Sequence, residues 1–249
     1  MNWKLKMNIH FVIHEEFEGP AAFDVWVNKR GFNATYTRIY QYESLPTNID
    51  DLDLLIVLGG PQDPATTTQT CHYFDVKAEI AFIKNAIERK VSVIGVCLGA
   101  QLIGEALGAH YAPSPKQEIG CFEISLTESG KADGLFNSFP NMPVVGHWHQ
   151  DMPGLTPSSQ ILATSQGCPR QIVKYQQRVY GFQCHLELTT ASIESLILAS
   201  GLTLEQSQEH PFIQSPHTLR EYDFTAMNQL LYQFLDALTL AYSNSKRNT

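Results

Sequence analysis

Cys97 stands between two glycines in Val93-Ile94-Gly95-Val96-Cys97-Leu98-Gly99-Ala100-Gln101, after a β-branched apolar run and before a helix-like segment. Gly-x-Cys-x-Gly at a strand–helix turn is the sequence form of a nucleophile elbow, with sulfur in place of a hydroxyl. The chemistry open to such a turn is acyl transfer through a thioester. A free thiol is a weak nucleophile, but the first turn of a helix offers unpaired N–H groups and a dipole that favour the thiolate. Glycines on both sides fit a turn that tolerates no bulk beside the sulfur. The N–H of Leu98 would then point at an oxyanion formed next to Cys97. The bland alternative is a small buried cysteine after a strand; the paired glycines and the strand–turn–helix context outweigh it.

An elbow cysteine needs a base from another strand end. Among nine histidines, His185 in Gly181-Phe182-Gln183-Cys184-His185-Leu186-Glu187 is the best placed. It closes a strand-like run, and Glu187 lies where a carboxylate could orient the imidazole and stabilise its cation. A second oxyanion donor could come from the backbone of Gly59-Gly60-Pro61, a glycine turn after another apolar run.

The elements that must position these groups follow from hydrophobic period. Strands are expected over 7–13, 34–40, 52–58 and 91–96, and helices over 20–30, 74–89 and 98–107. That alternation indicates a parallel α/β sheet. Strand-like stretches at 118–126, 144–147, 160–164, 171–175 and 179–183 make the second half β-rich, continuing or flanking the same sheet. From Thr189 the chain reads helical, with a break near Pro211–Pro216. Over 224–240, Leu230, Leu231, Phe234, Leu235 and Leu238 share one face. The expected fold is a three-layer α/β/α sandwich with a mixed, mainly parallel central sheet, flavodoxin-like. One domain over 1–249 is the simpler reading, with a core of about 7–190 and a helical extension over about 189–249.

The 249 residues carry 43% hydrophobic and 17% charged side chains and a net charge of −8, which reads as globular. The pI is near 5.5, and no basic stripe appears, so nucleic acid and anionic membranes are poor partners. Met1–Lys6 lacks the apolar stretch of a signal peptide, and no apolar run is long enough for a membrane span. Five cysteines, an odd number with no CxxC pair, argue against a disulfide framework or zinc site and for a reducing cytoplasm.

Together, Leu58-Gly59-Gly60-Pro61, the Gly95–Gln101 stretch and Gly181–Glu187 resemble the class I, triad-type glutamine amidotransferases, in that family's order. Lys116-Gln117-Glu118-Ile119-Gly120 and His147-Trp148-His149-Gln150-Asp151 are similar to the stand-alone branch related to the amidotransferase domain of GMP synthase. The resemblance implies Cys97 as nucleophile, His185 as base and acid, and Glu187 as orienter. It implies the N–H groups of Gly60 and Leu98 as oxyanion hole. Gln101 would lie near the amide and α-carboxylate end of the substrate, and Asp151, with His149 two residues before it, near the α-amino group. Asp151 could supply the counter-charge that a buried ammonium requires.

His147-x-His149-x-Asp151 could also be read as a metal cluster on one strand face, but no ligand from a third segment is evident, and neither metal nor cofactor is expected. Two features depart from the family pattern. The usual Phe-His-Pro-Glu around the base is Cys184-His185-Leu186-Glu187 here, and Cys184 reads as a small core residue. No Ser-Gly-Gly-x-Asp-Ser loop or Gly-x-x-x-x-Gly-Lys loop of an acceptor domain follows. Glu15-Glu16-x-Glu18 reads as a solvated loop face that could border the cleft. The expected activity is hydrolysis of a γ-glutamyl amide through a thioester on Cys97, releasing ammonia, with glutamine or a γ-glutamyl compound as substrate. A separate synthetase partner could receive the ammonia. The alternatives are a self-sufficient γ-glutamyl peptide hydrolase and a binding protein that kept the fold.

Overall fold

A computed structural model of the chain describes residues 6–247; the N-terminal segment read above for targeting lies, save Lys6, outside the described residues. The chain runs β1 (Asn8–Ile13), α1 (Ala22–Arg30), β2 (Asn33–Arg38), β3 (Leu54–Val57), α2 (Val76–Glu88), β4 (Ser92–Val96) and α3 (Leu98–Ala106). Then come β5 (Ala112–Glu123), β6 (Ser125–Leu126), α4 (Glu128–Ala132), β7 (Val144–Met152), β8 (Gln160–Thr164), β9 (Ile172–Gln176) and β10 (Val179–Phe182). Four helices close the chain: α5 (Thr190–Ser200), α6 (Leu204–Glu209), α7 (Pro216–Arg220) and α8 (Thr225–Arg247).

The eight-stranded sheet has the order β2-β1-β3-β4-β10-β9-β8-β6. The first five strands pair in parallel, and β9, β8 and β6 continue antiparallel. β5 and β7 form a separate antiparallel pair. The β-rich second half therefore does both things expected of it.

Alternation along the parallel strands sorts side chains to the two faces. Ile9, Phe11, Leu54, Ile56, Ile94 and Phe182 pack with Phe23 and Trp26 of α1 and Leu231, Phe234 and Leu235 of α8. Val12, Leu55, Val57, Val93 and Val179 pack with Phe82 and Ile83 of α2 and Leu102 and Ile103 of α3. The result is a three-layer sandwich whose strands are continuously apolar because both faces are covered. Gly31 caps α1 at φ 67°, a conformation that glycine adopts without strain. α8 belongs to the first helical layer, and its Asp236 accepts from Trp26 Nε1 at 2.8 Å and from Arg30 Nε at 2.9 Å. Truncating a fully buried ring such as Phe234 would cost about 3–5 kcal/mol.

A third apolar cluster joins Ile119 and Cys121 of β5 to Ile193, Leu196 and Ile197 of α5, Leu219 of α7 and Met227 of α8. The residues after 189 thus complete one layer of the sandwich and brace the small sheet against it.

Candidate active site

β4 ends at Val96, and Cys97 follows with φ 50° and ψ −109°, immediately ahead of α3. A non-glycine residue in this conformation costs about 1–3 kcal/mol. The flanking glycines explain how the turn closes. A Cβ on Gly95 would run into the Gly99 carbonyl, and one on Gly99 into the Val57 carbonyl. The elbow thus lifts the thiol at the carboxyl end of the parallel strands, where open α/β sheets place their sites.

β10 lies beside β4 with Gly181 opposite Gly95 and Phe182 opposite Val96. The Cys97 N–H donates to the Phe182 carbonyl at 2.7 Å. The chain leaving β10 is then held to β7 by a reciprocal pair, Gly146 N to His185 O at 2.9 Å and His185 N to Gly146 O at 2.7 Å. His185 is buried next to the elbow, and its Nδ1 meets Glu187 Oε1 at 2.6 Å. Its Nε2 is buried with no hydrogen-bond partner of good geometry. Burial opposes a charge on His185, but Glu187 and Cys97 outweigh it and hold the ring well above the usual histidine range. Burial pushes the Cys97 thiol up, while His185 and the Leu98 N–H pull it down.

The other expected residues gather around the same sulfur. Gly59 and Gly60 press against the elbow: a Cβ on Gly59 would touch Cys97 Cβ at 3.4 Å, and one on Gly60 would meet the Leu98 side chain at 3.1 Å. The thiol opens into a cavity of about 340 Å³ lined by Gly60, Gln101, His149 and Asp151, with Phe17, Ile119, Trp148, Leu196 and Leu202 as apolar walls. Burial and the neighbouring Asp63, which lines the same end of the cavity, raise the Asp151 carboxyl. No lysine or arginine lines this cavity.

Three participants were not legible in sequence. Gln183 donates to Cys97 Sγ at 3.5 Å and accepts from Gln101 Nε2 at 3.3 Å, so Gln101 reaches the sulfur through a second amide. The Trp148 carbonyl accepts from the thiol at 3.7 Å. The third is Glu18: the loop borders the cleft, as the sequence allowed, but it is not the solvated face expected. Glu16 is exposed, but Glu15 accepts from Gln62 Nε2 at 2.6 Å and from the Tyr73 hydroxyl. Glu18 is half-buried against Gly59 and lines both the cavity at Cys97 and a small one at His185 and Glu187. Burial pushes its carboxyl up to about 7, against the pull of His185 and His14. Cys184 is fully buried, its thiol driven well above the ordinary value by burial and directed at the Gln171 carbonyl at 3.7 Å. That is the small core residue expected.

His147 and His149 do find a partner from another segment. Glu118 of β5 lies 3.6 Å from His147 Nδ1 and 3.3 Å from His149 Nε2, a spacing that could hold a cation. The centre is occupied by Gln171 Nε2, which lies 2.7 Å from Glu118 Oε2, 3.1 Å from His147 Nδ1 and 3.2 Å from His149 Nε2. The Gln171 amide takes the place a cation would need, so the fit to a metal ion is poor, although His149 Nδ1 and Gln171 Oε1 are buried without hydrogen-bond partners. All five cysteines are free thiols.

Relatives agree with this arrangement of elements. The family model for class-I glutamine amidotransferases matches residues 26–203. The glutamine amidotransferase-like protein YfeJ of Salmonella typhimurium is 49% identical over 95% of this chain and 99% of its own. A glutamine-hydrolysing GMP synthase subunit of Pyrococcus abyssi is 32% identical over 54% of this chain and 65% of its own. The crystal structure of SMU.1228c superposes with a TM-score of 0.92 at 48% identity, covering 94% of this chain and all of that one. A glutamine amidotransferase from Thermotoga maritima shares the fold, with a TM-score of 0.81 at 20% identity over 94% of this chain and 98% of its own. No helix among the described residues is long and apolar enough to cross a membrane. With a glycine-flanked cysteine at the end of β4, a buried His–Glu pair at the end of β10 and this match over most of its length, the chain belongs to the class-I glutamine amidotransferase family.

Proposed function

We propose that the protein hydrolyses a γ-glutamyl amide through a thioester on Cys97. The observation that carries this reading is the strained Cys97 set against His185, whose ring is held by Glu187 at 2.6 Å while Nε2 has no partner of good geometry. His185 Nε2 takes the thiol proton as Sγ attacks the carboxamide carbon. The N–H groups of Gly60 and Leu98 receive the negative charge on the carbonyl oxygen, in a site where water is largely displaced. Collapse breaks the C–N bond, and His185 returns the proton to the departing amine. Water, deprotonated by His185, then opens the thioester and releases the γ-carboxylate. Asp151, with Asp63 beside it and no lysine or arginine among the described lining residues, suits the α-ammonium group. His149 and Gln101 border the same space.

Purified protein incubated with glutamine and with γ-glutamyl peptides tests the reading. Mass spectrometry should find a γ-glutamyl adduct on Cys97 that is absent from Cys97→Ala. No adduct with either class of substrate leaves a binding protein. The apolar wall of Phe17, Ile119, Trp148, Leu196 and Leu202 favours a second reading, in which the leaving amine is bulkier than ammonia and the enzyme acts alone. A separate synthetase receiving the ammonia instead predicts preference for free glutamine.

A further inference from the structure

Two buried titratable side chains behind the elbow take no part in the steps above. His14 follows β1, and Glu79 lies in the first turn of α2; both are almost completely buried. His14 Nε2 is 2.8 Å from Glu79 Oε2, and His14 Nδ1 is 3.0 Å from the Gly59 carbonyl oxygen. The Phe74 ring packs edge-on against the imidazole at 5.7 Å. A buried ionic pair is a poor source of stability, because desolvation offsets much of its attraction. One carboxylate oxygen, Glu79 Oε1, even lacks a hydrogen-bond partner.

What the pair holds is one peptide unit. The Gly59 carbonyl and the Gly60 N–H belong to the same planar group, and no peptide bond among the described residues is cis. In a trans peptide these two bonds point in opposite directions. Fixing the carbonyl on His14 therefore fixes the N–H on the opposite side of the peptide, in a residue so close to the elbow that an added Cβ would meet the Leu98 side chain at 3.1 Å. A Gly-Gly peptide has the widest rotational freedom of any pair, so this is where a clamp has most to do. Both partners of the ring are acceptors, so the two contacts are satisfied together only when the His14–Glu79 pair carries one proton more than a neutral imidazole and a carboxylate. In either arrangement Nδ1–H donates to Gly59.

We propose that His14, held by Glu79, is a positioning residue that locks the Gly59–Gly60 peptide so that the Gly60 N–H serves as an oxyanion donor. The inference rests on the reading of Cys97 as nucleophile. The imidazole also polarises the amide it holds, which strengthens the N–H on its far side. The titration of His14 agrees. Burial opposes its charge, but Glu79, the Gly59 carbonyl and Glu18 outweigh burial and raise it above the ordinary histidine value.

The test is steady-state kinetics of His14→Phe and His14→Asn on the best amide substrate, with circular dichroism and thermal unfolding as checks of fold. Phe fills the space without a donor, whereas the Asn amide can reproduce the Nδ1 contact. H14F should lose about 10²- to 10³-fold in kcat, the effect of losing one oxyanion donor, with KM changed less than threefold. H14N should recover at least tenfold of that loss. A γ-glutamyl aldehyde, which forms a tetrahedral adduct on the thiol, should weaken in parallel with kcat. A folded H14F with wild-type kcat, or one whose KM and kcat fall together without rescue by Asn, overturns the inference. If H14F does not fold, Glu79→Gln, which preserves every volume, decides instead: kcat falls about tenfold at unchanged KM, or the inference fails. Absence of any turnover or adduct in the wild-type protein overturns the reading of Cys97 itself.

Discussion

Besides the His14–Glu79 pair, two buried clusters among the described residues pair histidine with glutamate, and they are chemically opposite. At the end of β10, His185 is bound to Glu187 on one ring nitrogen only, and the other stands beside a strained thiol. Between β5 and β7, His147, His149 and Glu118 surround the Gln171 amide, with Ser165 donating to the same carboxylate at 2.8 Å. Burial lowers His147 to about 3, so it stays neutral, and hydrogen bonds from His149 and Ser165 keep Glu118 below the usual carboxylate range despite its burial. Burial and residue type do not separate the two. Each also keeps a ring nitrogen without a hydrogen-bond partner, His185 Nε2 in the first and His149 Nδ1 in the second. The difference is what stands beside the histidine: the first cluster lies next to the strained Cys97 thiol, and the second surrounds an amide and fastens β7, which carries Trp148 and Asp151 to the cavity.

The sharpest way to break this contrast is at the sulfur. Cys97→Ala should abolish turnover, a loss on the order of 10⁶-fold by analogy with other covalent catalysts, while thermal unfolding stays near wild type; residual amidase activity would sink the assignment. Glu187→Gln should cost on the order of 10³–10⁴-fold in kcat. Because Glu187 holds His185 high, the imidazolium in that variant is lost at lower pH. The acidic limb of the kcat/KM profile, which reports the neutral imidazole that takes the thiol proton, should therefore move down, and an unmoved limb would deny the carboxylate its role. In the second cluster the balance should reverse. Glu118→Ala removes the acceptor from a buried network and should cost about 3 kcal/mol of stability, with kcat of the folded fraction within tenfold of wild type. A large kcat loss at full stability would erase the distinction between the clusters.

Glu18 gives the smallest effect and the finest resolution. Its folded value near 7 lies above the ordinary 4.5, so folding takes up a proton between those pH values. That stability is complete below about 4.5 and is lost as pH rises through about 7. Glu18→Gln mimics the neutral carboxyl, so its unfolding temperature should gain on wild type as pH rises from 5 to 8. Ionised Glu18 also raises the Cys97 thiol. Iodoacetamide should consequently titrate a more acidic thiol in E18Q, with rates converging below pH 6. Parallel stability curves for the two proteins would show that the carboxyl does not titrate in this range.

The positions of the Cys97 elbow, His185 and the Gly59-Gly60 turn were legible because each closes an apolar run, and the end of a buried strand leaves a sequence mark. Glu18 left only the suggestion of a loop at the rim of the cleft. Three glutamates in four positions look solvated until the return of β3 places Gly59 against one of them. Glu118 belongs to a visible motif, but its partnership with the two histidines depends on the register of β5 and β7, with Glu118 opposite His149. Pro113 and Pro115 also concealed the first half of β5, which begins at Ala112, since proline is a poor sign of a strand. The amphipathic stripe of α8 was visible, but the face it covers was not. That choice is made by Asp236 meeting Trp26 and Arg30 more than two hundred residues earlier.

The parallel pairing of β4 with β10 places Cys97 and His185 at one seam, although β5 to β9 intervene in the chain. β10 is hydrogen-bonded on both edges, so this seam has no free border. Trp148, His149 and Asp151, which meet the cavity, all ride on the long excursion between the two seam strands. On the proposed reading, reactivity and selectivity are therefore carried by separable stretches of one chain. An excursion of different shape would reshape the cavity while the two strand ends that carry Cys97 and His185 stay in register.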